Sequence, residues 1–215
     1  YDGGMLYIVH VSCGTSVKRL KEMYDGILNR NLFIESCPHY FTFNSGAYEA
    51  DNGRLLTMTP PLRSEKERKA LISNIDSVYT IGTDHCPFNS GDKEGVFTAG
   101  MPMGIGGIEH SFSIMYSLFG DKIIDKFTTN VARVHGLYPR KGTLLPGSDA
   151  DVVIFDSQCE WKVHEHNSKC DYVTYEGINL KGKVRTTISR GRFIVKDGKF
   201  LGGIGEYLAR TGVTG

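Results

Sequence analysis

No apolar run in this chain approaches the roughly 18–20 residues that a membrane-spanning helix needs, so its 215 residues predict no such span. An excess of either charge is missing too: 25 Lys and Arg stand against 24 Asp and Glu, a formal net charge of +1. That balance gives no electrostatic reason to expect nucleic acid or a membrane surface as a partner. The five cysteines, Cys13, Cys37, Cys86, Cys159 and Cys170, include no CxxC pair. Odd in number and evenly spread, they suggest neither a disulfide framework nor a thiolate zinc site, and a reducing, cytoplasmic setting fits them best. Cys37 and Cys86 read as small buried hydrophobes. Neither a fixed-period repeat nor a low-complexity segment is found. The opening Tyr1-Asp2-Gly3-Gly4 has no initiator Met and no basic signal region. It runs almost at once into a buried-type strand, an abrupt start that suggests a chain begun in the middle of a larger unit.

What is there is 40% apolar residues, enough for a sizeable core. They are laid out in two rhythms. The first part alternates strand-like and helix-like patterns, as a parallel α/β fold should. Met5–Val11 predicts a strand, and Thr15–Asn29 an amphipathic helix capped by Thr15 or Ser16. A second strand covers Leu32–Glu35, followed by a polar, aromatic loop with a helical turn over Tyr40–Arg54. Leu55–Met58 predicts a third strand, stopped by Pro60-Pro61. Ser64–Asn74 reads as a helix with Ser64 as N-cap and Glu67 completing a capping box. Val78–Thr83 is the fourth strand, and helical patterning resumes over Ile108–Phe119 and Ile123–Leu137. From Gly142 onward the pattern is all-β, with short strands at Asp151–Phe155, Trp161–Val163, Val184–Arg190 and Arg192–Lys196. Ser189–Arg192 and Lys196–Lys199 carry the Gly that tight hairpin turns require. Four βα units are half of what a closed barrel needs, and they leave two open parallel edges.

The chemistry-bearing residues sit where strands end. Val78–Thr83 delivers Asp84, Met5–Val9 runs into His10, and Leu32–Glu35 leads through Ser36-Cys37-Pro38 to His39. Two imidazoles and a carboxylate at successive strand ends suggest part of a metal site, since neutral imidazole is a common ligand for zinc and similar ions. There the metal would polarise a carbonyl and acidify water, while Asp84 takes and returns a proton. His85 reads as a partner behind Asp84 at most. His110, His135, His164 and His166 read as structural or surface residues. Gly100–Gly107 is not a dinucleotide fingerprint, because no strand immediately precedes it; a mobile loop beside the site is expected there.

With these residues in hand, the chain resembles the C-terminal half of the dihydropyrimidinase/hydantoinase family, within the amidohydrolase superfamily. The resemblance rests on Leu6-Tyr7-Ile8-Val9-His10-Val11-Ser12, Glu35-Ser36-Cys37-Pro38-His39-Tyr40, Pro60-Pro61-Leu62-Arg63 and Gly82-Thr83-Asp84-His85-Cys86-Pro87-Phe88. It continues through Tyr138–Thr143 and Gly147–Asp151. The fold class it implies is α/β: the C-terminal half of a TIM-like metal-dependent hydrolase barrel over residues 1–140, then part of a small all-β side domain over 141–215. The activity it implies is hydrolytic opening of a cyclic amide, a dihydropyrimidine or hydantoin, at a two-metal centre that is usually zinc. Carried over residue by residue, His10 and His39 would be metal ligands after the fifth and sixth strands, and Asp84 ligand and general base after the eighth. Thr59 would contact the substrate ring. Met103 would lie in the loop whose backbone binds that ring, at a position where the family often has Asn. The family's His-x-His pair, bridging carbamylated Lys and oxyanion-stabilising Tyr would all precede Tyr1, so the chain alone is expected to be inactive and to need the missing N-terminal half. Family members are commonly homotetramers, and Gly202–Arg210 resembles segments that lie between subunits. Allantoinase and dihydroorotase share much of the scaffold. A non-catalytic assembly or scaffold homologue is the competing reading, opposed by the joint presence of His10, His39 and Asp84.

Overall fold

The computed structural model describes residues 4–95 and 100–210. The opening Tyr1-Asp2-Gly3 and residues 96–99 of the Gly-rich stretch lie outside them. Strands β1 (Leu6–Ile8), β2 (Leu32–Ser36) and β3 (Thr80–Ile81) form a parallel sheet in that order. Leu6 pairs with Leu32 and Glu35 with Thr80. Helix α1 (Gly14–Tyr24) connects β1 to β2, and α3 (Glu65–Ser73) precedes β3. The two helices meet closely because Gly14 has no side chain: a Cβ there would come within 2.1 Å of the Leu71 backbone nitrogen. Val17, Ile34, Phe41, Leu71 and Val78 fill the space between helices and sheet, each without exposed surface.

Several sequence expectations change. β1 is an edge strand, so Met5, Leu6 and Val9 are exposed rather than buried. Helix α1 stops at Tyr24, leaving Met23 and Tyr24 exposed although they continue the apolar stripe. Its N-cap is Cys13, not Thr15 or Ser16. Leu55–Met58 is no strand: Gly53–Leu56 curls into a 3-10 turn, and the parallel sheet has three strands among the described residues. Four apolar or β-branched residues suit a strand or a buried turn equally, and tertiary context decides between them. Cys37 is buried as expected, whereas Cys86 is exposed.

Two further layers complete the molecule. Helices α4 (Ser111–Phe119), α5 (Ile124–Phe127) and α6 (Thr129–Val134) follow the parallel sheet. An antiparallel sheet then runs β4 (Val152–Lys162), β5 (Asn179–Ser189), β6 (Arg192–Lys196) and β7 (Lys199–Phe200). The two predicted strands Asp151–Phe155 and Trp161–Val163 are largely one, carried through register shifts at Ile154/Phe155 and Asp156/Glu160. The two sheets fall on either side of residue 140. Ile114 on α4 joins Val163, Tyr175 and Leu180 in a second apolar cluster. Among the described residues no helix is long and apolar enough to cross a membrane.

Candidate active site at the strand ends

His10 and Asp84 share an uncommon backbone. Each follows a parallel strand, and each has positive φ, 43° and 47°. Non-glycine residues seldom take that conformation, His, Asn and Asp more readily than the rest, and where it occurs the surrounding fold holds it. The other non-glycine cases among the described residues, Asn29, Arg190 and Asp197, lie in turns. The strand ends are stitched together by backbone. Val11 N–H donates to the Glu35 carbonyl at 2.8 Å, Ser36 Oγ to the Val11 carbonyl at 2.7 Å, and Gly82 N–H to the Ser36 carbonyl at 3.1 Å.

Glu35, not singled out from sequence, lies between these ends. Its carboxylate accepts from the Tyr7 hydroxyl and, at 3.4 Å, from the His10 N–H. The Tyr7 oxygen is also 2.8 Å from Thr80 Oγ1. A Cβ on Gly82 would meet this carboxylate at 2.6 Å, so the glycine makes room for it. Burial, and then the bond to Glu35, pushes the Tyr7 phenol well above its ordinary range. An acidic residue in an apolar strand was the available signal.

His39 lies in α2 (Pro38–Thr42), and only 1% of it is exposed. Burial, reinforced by the charge of nearby His10, lowers its imidazole to about 3, so the ring is neutral. Neither ring nitrogen has a hydrogen-bond partner. Asp84 is exposed, and its charge reaches the same region: after burial and Glu35, it helps raise the Cys37 thiol. The donor chemistry of His10, His39 and Asp84 therefore suits a divalent metal. Yet among the described residues no group of three His, Cys, Asp or Glu side chains converges closely enough to hold one. His10, Glu35 and Asp84 are linked to His39 and Cys37 by charge and backbone contacts around the strand ends.

Thr59 and Met103 do meet. Both line a cavity of about 570 Å³ with Tyr48, Met58, Pro61 and Met101. Tyr40 Oη holds this wall by donating to the Pro60 carbonyl at 2.8 Å. A larger cavity, about 850 Å³, lies between His85, His110, His166 and the antiparallel sheet. His85 Nδ1 accepts the Gly107 N–H at 3.1 Å, and His110 Nε2 is 3.1 Å from the Glu165 carbonyl oxygen. Both are thus engaged structurally, His85 with the Gly107 backbone and His110 with Glu165.

The sequence model described as "Amidohydrolase family" matches residues 8–194. This chain belongs to the amidohydrolase family. It is 34% identical to the D-hydantoinase of Geobacillus stearothermophilus over 227 aligned positions, covering 97% of this chain and 48% of that protein. The crystal structure of D-hydantoinase from Bacillus sp. AR9 superposes with a TM-score of 0.89 at 35% identity, covering 97% of this amidohydrolase chain and 49% of the other. Dihydropyrimidinase from Brevibacillus agri NCHU1002 gives a TM-score of 0.82 at 33% identity, covering 92% and 46%. The chain spans about half the length of the relatives it matches.

Proposed function

We propose that this chain contributes His10, His39 and Asp84 to a metal-dependent cyclic amidohydrolase that opens a dihydropyrimidine or hydantoin ring to an N-carbamoyl amino acid. The observation that carries the reading is the pair of positive-φ strand ends, one bearing His and one Asp, beside the unpartnered His39 imidazole in a chain of this family. The partial barrel over residues 1–140, the side domain over 141–215 and a homotetrameric assembly belong to the same proposal. So does a protein of about the relatives' length, in which this chain is one part.

His10, His39 and Asp84 would hold the metal, zinc in this reading and two ions in the complete protein, with further donors from outside the described residues. A metal so held supplies Lewis acidity to the ring carbonyl and to water. Asp84 takes a proton from the attacking water and returns it to the ring nitrogen as the C–N bond breaks, so that nitrogen does not leave as an anion. Thr59 and Met103 line the cavity that receives the ring. His39 keeps the ligand role: its buried imidazole is neutral and both ring nitrogens lack a hydrogen-bond partner among the described residues, the state in which an imidazole binds a metal.

The test is Asp84→Asn in the complete protein, assayed on dihydrouracil and hydantoin. A fall in kcat of roughly 100-fold or more is expected, the size of a lost general base. Unchanged turnover would overturn the assignment, and absence of turnover in the unaltered protein would favour the scaffold reading.

A further inference from the structure

Lys93 has no part in the chemistry above, and it is fully buried. It ends the 3-10 turn Ser90–Lys93, whose start is fixed by a capping box between Asn89 and Asp92. Its Nζ donates to the carbonyl oxygens of Leu55 at 3.0 Å, Thr57 at 2.8 Å and Gly104 at 2.5 Å, with Thr57 Oγ1 at 3.3 Å. An ammonium has three donors, and three carbonyls meet them. Burying a charge is costly unless every donor is satisfied, so this geometry needs all three partners at once.

Those partners lie on two separate segments. Leu55 and Thr57 lead into Thr59, while Gly104 directly follows Met103. The same two segments are tied by the Gly104 N–H, which donates to the Thr57 carbonyl at 3.1 Å. Between them lies the cavity of about 570 Å³, with Met58, Met101 and Met103 in its walls. Thioether side chains are flexible and polarisable, and they wrap apolar or aromatic surface better than they bind a polar ring edge.

We infer that Lys93 is a positioning residue: it fixes the Thr59 wall against the Met103 wall and so sets the cavity to admit an apolar substituent on the substrate ring. The choice of ligand rests on the ring-opening reading; the coupling of Lys93 to the two walls does not. Other charged or titratable groups surround the lysine. Arg54 Nη1 donates to the Ser90 and Lys93 carbonyls at 2.9 and 3.4 Å. Tyr172 donates to the Leu55 carbonyl at 3.1 Å, and Asp171 accepts from Ser90 N–H and Oγ. The Cys86 side chain lies against Gly104. Burial lowers the Lys93 ammonium to about 8, with Cys86 acting the other way.

The experiment is ¹³C-methyl-methionine NMR on the full 215-residue chain, titrated from about pH 6.5 to 9.5 across the lysine transition. The Met101 and Met103 methyls are expected to shift together with a midpoint near 8, in the wild type and in Cys86→Ser, and to stay flat in Lys93→Met. Methyls that do not move in the wild type, or that lose their transition in Cys86→Ser, overturn the inference. Should Lys93→Met fail to fold, the wild-type and Cys86→Ser titrations decide: methyls that move together uphold the coupling, and flat methyls overturn it. In the complete protein, Lys93→Met is expected to raise KM for a ring with a bulky apolar substituent by roughly 10-fold relative to the unsubstituted ring, with kcat on the latter little changed. Equal KM changes for both rings would overturn the specificity role. The expected titration without hydrolysis of either ring would uphold the coupling and overturn the ring-opening reading.

Discussion

Ser64 and Glu67 have the spacing of a capping box, yet only half of it forms. Ser64 Oγ accepts the Glu67 N–H at 3.4 Å. The Glu67 carboxylate turns instead to the start of α1, accepting from the Cys13 thiol at 2.9 Å, the Thr15 N–H at 2.9 Å and the Thr15 hydroxyl. These bonds, Cys13 foremost, hold it at about 2, against an ordinary 4.5. A carboxylate depressed on folding stabilises fully above its unfolded value, and that stability is lost as pH falls toward the folded one. Glu67→Gln is therefore expected to cost about 1 kcal/mol at pH 7, a figure reduced for solvent screening. The gap to wild type should narrow between pH 4.5 and 2, which urea melts at several pH values would show. The strand ends carry a second residue-scale prediction. In the complete protein, His10→Gln and His39→Gln should each lower bound metal by an order of magnitude or more. Metal retained in full by either variant, measured by elemental analysis, would remove that residue from the ligand set.

At the scale of elements, the contact of α1 with α3 depends on one missing methyl. The Cβ of an alanine at position 14 would sit 2.1 Å from Leu71 N, 2.4 Å from the Ala70 carbonyl carbon and 2.6 Å from the Glu67 carbonyl oxygen. All three are backbone, so the helices must separate. Gly14→Ala is expected to destabilise by about 3 kcal/mol, read as a lower urea midpoint, whereas Gly26→Ala, with nothing within 4 Å, should cost little. Elements decided by local chemistry were legible in the sequence. Arg190 and Gly191 have φ of 48° and 76°, and Asp197 and Gly198 have 49° and 76°, as the predicted two-residue hairpins demand. Elements decided by distant partners were not. Leu55–Met58 lost its predicted strand to a 3-10 turn whose carbonyls Lys93 draws in. Nothing in the sequence singles out Lys93, because its burial depends on oxygens supplied by residues 55, 57 and 104. The site divides the same way: His10, His39 and Asp84 announce themselves where apolar runs stop, but the burial of His39 with both ring nitrogens unpartnered is a property of three dimensions.

For the molecule as a whole, the parallel sheet is the unresolved account. Among the described residues β1 and β3 each pair only with β2, so both are edge strands, and parallel sheets are ordinarily covered on every side. The β1 edge is also apolar: Leu6 is 56% exposed and Met23 on the neighbouring helix 60%. Such an edge favours pairing with another chain, so the 215-residue chain is expected to self-associate, and Leu6→Lys with Met23→Lys should reduce the associated fraction seen by light scattering. Catalysis follows the same logic. Hydrolysis at a metal centre needs a donor set held rigidly around the ion, and the described residues gather no three such donors. The chain alone, supplied with zinc, is therefore expected to leave dihydrouracil and hydantoin intact when N-carbamoyl product is assayed. Turnover by a sample whose intact mass matches 23.8 kDa would show that self-association itself completes the site, with one copy's open edge meeting another's.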